Sequence, residues 1–442
     1  MKRHSLAIAA LVVISALALT ACGSSKKAAS TASTTQTTSS SANVAGSIIF
    51  DGVWTGAEAA AFQAVINGFH TQYPKVTVKY KPVGDNLPTV LSTAVAGGRP
   101  PDMADIAQPG LIQQFVDKGA LKPIEYARSA IAANFAPAWL KLGTYDGKLY
   151  GVVFKASNKS LVWYNAHAFK AAGVTPPASW TQLLADAKTL KSSGVPAYSI
   201  GGSDGWTLTD LFENIYLRQA GLAKYQALSA HKIKWTDPSV TAALKTMGQV
   251  IGDAGNLAGG TSGAVQTDFP TSVNNVFQNP PKAAMVFEGD FVPGSATVKA
   301  KAGTDYGVFP FPSIGGSAPA VEVAGDSLVA FRDTPAIQAF VKYLATPQAA
   351  ELWAKRGGFA TGNHSVPAST YPDAISRSNA SAVSKATSIV FDMSDQQPGS
   401  FGATVGQGEW GIFQTFLRNP SNVSGVQQQL ETSATAAYKK GK

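Results

Sequence analysis

Cys22 is the only cysteine in this 442-residue chain. Beyond it, disulfides, thiolate metal sites and cysteine nucleophiles are excluded together. Charged residues are scarce, at 14%. The formal charge is +9, but Lys26, Lys27, Lys439, Lys440 and Lys442 fall in expected tails. Lysines elsewhere stand singly among acids, and no basic block with interleaved aromatics occurs. Nucleic-acid binding is therefore not expected. The GxxxxGK[ST] phosphate loop and the HExxH motif are missing. Gly201–Gly205 has GxSxG spacing and Gly406–Gly411 has GxGxxG spacing, but neither directly follows an expected strand, as a nucleophile elbow or a dinucleotide loop would. The histidines after Cys22 are His70, His167, His231 and His364, scattered far apart. No metal site, cofactor or catalytic set is expected. Paired carboxylates could still cleave a glycosidic bond, because such residues need only meet in space.

What is present begins at the N-terminus. Lys2 and Arg3 precede an apolar run from Leu6 to Leu19, and small residues follow. This is the pattern of a secretory signal peptide over residues 1–21. The run is too short for a membrane span. Leu19-Thr20-Ala21-Cys22 resembles a bacterial lipobox, in which the thiol receives a diacylglycerol and becomes the new N-terminus. Two or more acyl chains make such an anchor stable. From Cys22 to Gly46 the composition is nearly all Ser, Thr, Ala, Gln and Lys. It cannot bury enough surface to order itself, so it reads as a tether.

About 420 residues follow Cys22, more than one compact core holds. Two lobes are expected. Ser47–Phe50 reads as a strand, and Phe62, Val65, Ile66 and Phe69 mark the buried side of a helix ended by Tyr73-Pro74. Val76, Val78 and Tyr80 alternate as a strand. Leu87 to Val95 is a helix closed by Gly97-Gly98. Asp102–Ile106 is a strand, and Leu111 to Val116 a helix. This alternation predicts α/β architecture with a largely parallel sheet. Tyr145-Asp146-Gly147 suggests a hairpin, and Leu161–Tyr164 and Met285–Phe287 are strands. Tyr306–Val308 is a candidate edge strand. Ser179 can cap a helix through Gln182, and Thr334-Pro335 and Thr346-Pro347 start two more.

Aromatics beside small polar turns stand out. They are Gly52-Val53-Trp54-Thr55-Gly56, Gly201 to Trp206, Phe287-Glu288-Gly289-Asp290-Phe291, and Gly406-Gln407-Gly408-Glu409-Trp410. Ligand loops of α/β proteins lie at such element ends. A pyranose offers an apolar C–H face to an aromatic ring, while its hydroxyls need directional acceptors and donors. Each tryptophan taken alone could equally be a core residue.

With these segments, the chain resembles the extracellular solute-binding lipoproteins of carbohydrate ABC transporters, in the maltose-binding-like group. The resemblance runs from about Gly46 to Leu430. It rests on Trp54-Thr55-Gly56-Ala57-Glu58, on Gly98 to Ala104, on Tyr150 to Asn165, on Ala283 to Gly289, on Ala324-Gly325-Asp326 and on Trp353 to Asn363. It implies a two-lobe periplasmic-binding-protein-like fold of type II, with a hinge that the chain crosses more than once. Lobe one would hold 47–155 and 323–370. Lobe two would hold 156–322 and 371–429, leaving 430–442 as a tail. The implied ligand-binding residues are Trp54, Glu58, Gln108, Asn158, Asp204, Trp206, Asp290, Phe291, Asp326 and Trp410. Maltose-binding members carry an acid where this chain has Asn158, and often a tryptophan near Phe291. The implied partners are a carbohydrate and the permease subunits of an ABC transporter, for a lipid-anchored monomer at the outer face of the membrane. The alternatives are a sensory or adhesive glycan-binding lipoprotein, a secreted glycoside hydrolase, and a binder of a non-sugar polyol.

Overall fold

The computed structural model describes residues 43–385 and 390–440. The signal peptide, Cys22 and most of the tether lie outside the described residues. Within them, no helix is long and apolar enough to cross a membrane.

The strands are β1 (Gly46–Gly52), β2 (Val76–Pro82), β3 (Met103–Ile106), β4 (Thr144–Tyr145), β5 (Lys148–Leu149), β6 (Gly151–Asn158), β7 (Leu161–Asn165), β8 (Met285–Phe287), β9 (Tyr306–Pro310), β10 (Glu322–Ala330) and β11 (Val390–Phe391). The first sheet runs β11-β10-β3-β1-β2, with β6 also paired to β10. Its β1, β2 and β3 are parallel, as the strand–helix alternation predicts. The long β10 enters antiparallel to both β3 and β6, so the sheet is mixed and not largely parallel. The reason is that β10 returns from the other lobe instead of following a crossover helix. A second sheet, β8-β7-β9, is wholly antiparallel and has Tyr306–Pro310 at its edge. β4 and β5 form the hairpin, turning at Asp146 and Gly147, both at positive φ.

Local signals act where they are written. Ser179 Oγ accepts from Gln182 N at 3.2 Å and starts the helix Trp180–Ser192. Thr334 and Thr346 cap the helices Pro335–Leu344 and Pro347–Ala354 in the same way. Such caps satisfy backbone N–H groups that a first helical turn leaves unpaired.

Two main cores result. One gathers Ile48, Phe50, Phe62, Val65, Ile66 and Phe69 with Phe340 and Trp353. The other gathers Val162, Phe212, Ile215, Trp235, Leu244, Met285 and Phe413. Tyr371, Ala380, Val383 and Phe391 pack in the first core, although the expected boundary puts them in lobe two. The expected tail is also helical through Lys440: the helix Val423–Lys440 seats Leu430, Ala434 and Ala437 in the second core. An apolar i, i+4, i+7 stripe keeps this segment on the body.

The chain passes between the sheets three times: from β6 to β7, from β9 to β10, and from β11 to Met393. The passages are bonded to one another. Lys159 N donates to Glu322 O at 2.9 Å, and Asp392 N donates to Val323 O at 2.8 Å. Glu322 N donates to Ser160 Oγ at 2.9 Å. This is a hinge of side-by-side extended segments with the two lobes on either side.

Candidate functional site: a cleft between the lobes

A cavity of about 280 Å³ lies between the lobes and takes its walls from both. On the first lobe, Trp54 follows β1 and Glu58 opens the helix Gly56–Gln72. Asp105, at the end of β3, holds the turn before them by accepting from Val53 N at 2.7 Å. Trp54 Nε1 donates to Asp326 Oδ2 at 2.6 Å, and Tyr80 Oη donates to Trp54 O at 2.9 Å. The Trp54 ring is only 1% exposed and packs edge-on to Trp353 at 4.9 Å. It is therefore a core residue with one border on the cavity. Lys155, from β6, makes a 2.8 Å bond to Glu58 and stands 3.6 Å from Asp326. Burial would lower its ammonium, but the two carboxylates outweigh burial and hold it above its ordinary value. Gln108, the residue before the helix Pro109–Asp117, completes this wall with Asp85.

On the second lobe, Gly205 stands at φ +84° before the helix Trp206–Ser229. A Cβ there would come within 2.6 Å of the Trp410 Cβ, so the loop can press on Trp410 only with glycine. Asp204 Oδ2 accepts from Phe269 N at 2.7 Å, which ties the loop to the helix Phe269–Phe277. Trp206, Phe269 and Phe291 form an aromatic wall, with centroids 5.0 Å (Trp206–Phe269), 5.5 Å (Phe269–Phe291) and 6.1 Å (Trp206–Phe291) apart. Such tilted and edge-on ring pairs suit the aromatic quadrupole. Lys159 lies 5.4 Å from the Trp206 ring centroid and pairs with Asp210 at 3.0 Å and Asp392 at 2.6 Å. Trp206 Nε1 crosses the cleft and donates to Asp85 Oδ2 at 3.2 Å. Burial, then the like charge of Asp204, pushes the Asp85 carboxyl up to about 6. Burial also raises Asp204.

Eight of the ten sequence-predicted residues line this cavity: Trp54, Glu58, Gln108, Asp204, Trp206, Phe291, Asp326 and Trp410. Asn158 and Asp290 do not. They bind each other at the hinge: Asn158 N donates to Asp290 Oδ2 and Asp290 N to Asn158 O, both at 3.1 Å. Both are buried there, and burial pushes Asp290 up to about 7. Sequence reasoning missed Asp85, Lys155, Lys159, Phe269 and Asp395, all of which line the cavity. The two lysines flank Asn158 within the segment that carried the resemblance, so the region was in view while its pointing residues were not. Asp85 and Phe269 had no local signal beyond Gly84 and the capping Asp268.

Two α/β lobes, a hinge of several passages and a ligand-sized cleft at the waist define the periplasmic-binding-protein fold. The chain belongs to the bacterial extracellular solute-binding protein family, which residues 54–351 match. It is 33% identical over 359 residues to the osmoprotective compounds-binding protein GgtB of Synechocystis sp. (strain ATCC 27184 / PCC 6803 / Kazusa), covering 79% of this chain and 84% of that one. It is 31% identical over 367 residues to the alpha-glucosides-binding periplasmic protein AglE of Rhizobium meliloti (strain 1021), covering 80% of each. The fold matches the bacterial solute receptor AcbH with a TM-score of 0.77 at 22% identity, over 88% of this chain and 98% of that one. A chitin oligosaccharide binding protein superposes with a TM-score of 0.75 at 18% identity, over 89% and 99%. The family is one of solute binders and not of enzymes, in line with the sequence reading and against the hydrolase alternative.

Proposed function

We propose that this protein captures a carbohydrate outside the cytoplasm and delivers it to the permease of an ABC transporter. The observation that carries the reading is the interlobe cleft, where aromatic rings and carboxylates from both lobes meet in one cavity. Trp206, Phe269 and Phe291 present ring surface for the C–H face of a sugar. Glu58, Asp85, Asp204 and Asp326 accept from its hydroxyls, and Gln108 can both donate and accept. Contacts on both lobes favour the closed form, because a ligand shifts a two-state equilibrium by its differential affinity. The names of the relatives support the ligand class: one binds alpha-glucosides, and a structural neighbour is described as preferring galactopyranose. The protein acts as a monomer, anchored by a lipid on Cys22 at the outer face of the membrane.

Thermal shift across mono- and oligosaccharides tests the binding reading, since a ligand that binds only the folded form raises its melting temperature. Calorimetry on the best sugar should give saturable binding, and chromatography should recover that sugar unchanged. No shift with any saccharide, or steady turnover of one, overturns it. For the anchor, Cys22→Ala should leave the melting curve intact and move the protein from the membrane pellet to the soluble fraction. Equal recovery of parent and variant in the pellet contradicts the anchor alone.

A further inference from the structure

The charge of the cleft runs against the charge of the chain. The formal charge overall is +9. Yet the cavity wall carries the carboxyls of Glu58, Asp85, Asp204, Asp326 and Asp395 against the ammoniums of Lys155 and Lys159 alone. Neither ammonium is free. Lys155 is held by Glu58 and Asp326, and Lys159 by Asp210 and Asp392. No arginine lines the cavity among the described residues. A ligand carboxylate or phosphate would therefore enter without a cation to meet it, and would face carboxyls on both lobes. Burying an unpaired anion in such a place is strongly unfavourable.

Two further features favour the opposite ligand charge. Asp85 and Asp204 stand on opposite lobes, and the charge of Asp204 reaches Asp85. Asp204 already accepts from Phe269 N and Ser203 Oγ, and Asp85 Oδ2 from Trp206 Nε1. Only neutral donors are engaged there, so a ligand ammonium would relieve the repulsion and form charge-assisted bonds. Independently, Trp410 is buried at 3% exposure, lines the cavity, and its Nε1 has no partner among the described residues. A buried donor of this kind calls for a ligand oxygen. The cleft thus asks for a polyhydroxylated ligand without negative charge.

We infer that this cleft sorts saccharides by charge: it accepts neutral and amine-bearing sugars, favours the amine, and refuses uronates and sugar phosphates. Asp85 and Asp204 are the residues that set this preference. The inference rests on the carbohydrate reading above and goes beyond it by naming the charge class of the ligand.

The test uses the purified full chain and matched sets of mono- and disaccharides. Each scaffold is offered in its neutral form, its 2-amino-2-deoxy form and its uronate form. Calorimetry at pH 7.5 and low salt should rank amine at or above neutral, with the uronate at least roughly thirtyfold weaker on the scaffold that binds. Asp85→Asn and Asp204→Asn should each weaken the amine form about tenfold more than the neutral form of the same scaffold, the margin of one charge-assisted bond over a neutral one. Melting curves of both variants without ligand establish that they fold. A uronate that binds as tightly as its neutral parent overturns the charge sorting and leaves the carbohydrate reading standing. An amine preference untouched in both variants removes Asp85 and Asp204 from it. If no member of any set binds, the carbohydrate reading fails, and the charge sorting falls with it.

Discussion

Lys155 and Lys159 stand four residues apart on one passage of chain, line the same cavity, and do different things. Lys155 belongs to the first lobe through Glu58 and Asp326, whose side chains remain 20% and 14% exposed. Its partners can be reached by water through the cleft. Lys159 belongs to the hinge and the second lobe, through Asp210 and Asp392 at 4% and 0% exposure. Around that pair lie Glu213, Glu288, Glu322, Asp395 and Glu409, each pushed well above the ordinary carboxylate range, first by burial and then by neighbouring carboxylates. Asp392 alone is held low: the Lys159 ammonium and hydrogen bonds from Asp395 N and Ser394 outweigh its burial. The same residue type thus serves as an adjustable wall in one place and as the central cation of a buried acidic hinge in the other. Buried charges must be neutralised where they sit, whereas cleft charges can be completed by ligand or water.

That contrast can be broken by experiment. The largest effect is expected for Lys159→Met, which strands Asp210 and Asp392 without their cation. Removing one partner of a buried pair costs about 3–5 kcal/mol. The loss should also depend on pH. Folding raises Asp210 from its ordinary 3.8 to about 7. A group raised on folding contributes stability that is complete below its unfolded value and lost as pH rises through its folded value. Without Lys159 the raised carboxyls rise further, so the melting deficit should be largest near pH 8 and smaller near pH 5. A deficit that does not vary with pH would mean that the hinge does not carry its excess acid as protons.

Trp206→Ala comes next, because Trp206 touches both regions, over Lys159 and bonded to Asp85. Truncating a central aromatic contact costs about 2 kcal/mol, roughly thirtyfold in affinity. Calorimetry should show that loss with only a modest change in ligand-free melting. Trp410→Ala should behave differently, since Trp410 is nearly fully buried against the second lobe, and its ligand-free melting should drop more than that of Trp206→Ala. The reverse order would make Trp410 the platform and Trp206 the core residue.

Lys155→Met should cost about 1–2 kcal/mol of ligand-free stability, because Glu58 and Asp326 can take up water. It should weaken ligand binding more than it weakens the fold. Equal melting losses for Lys155→Met and Lys159→Met would erase the distinction between wall and hinge.

The smallest expected effect is on closure. The lobes meet at Asp85, whose carboxyl is held near 6 by burial and by Asp204, with Glu58 adding to the rise and Trp206 and Lys159 opposing it. Opening the cleft hydrates Asp85 and lowers its value. The closed form is therefore favoured below about 6 and loses that support as pH rises through 6. Scattering on the ligand-free protein should give a slightly larger radius of gyration at pH 7.5 than at pH 5, and Asp85→Asn should flatten the difference.

Much of this was legible in the residue order, for reasons specific to each element. Phe62, Val65, Ile66 and Phe69 share one helix face because 3.6 residues make a turn, and all four are buried. Glycines beside aromatics marked the loops of Trp54, Trp206, Phe291 and Trp410, all of which reach the cavity. Local pattern could not reveal that Asn158 and Asp290, 132 residues apart, would spend themselves on each other. Nor could it show that Trp54 is mainly core, since a turn of small residues looks the same with its aromatic turned inward.

The sequence by itself determined the secondary elements, their caps, the two-lobe division and the class of side chain offered at the element ends. These follow from periodicity and backbone preference, which act over a few residues. Only the tertiary structure decided the antiparallel return of β10, the pairing of each lysine with its own carboxylates, and the acidic balance of a cleft in a basic chain. Those depend on segments hundreds of residues apart arriving at one place, as when Lys159 meets Asp392 across 233 positions. Electrostatic energy falls with distance in space and takes no account of separation along the chain.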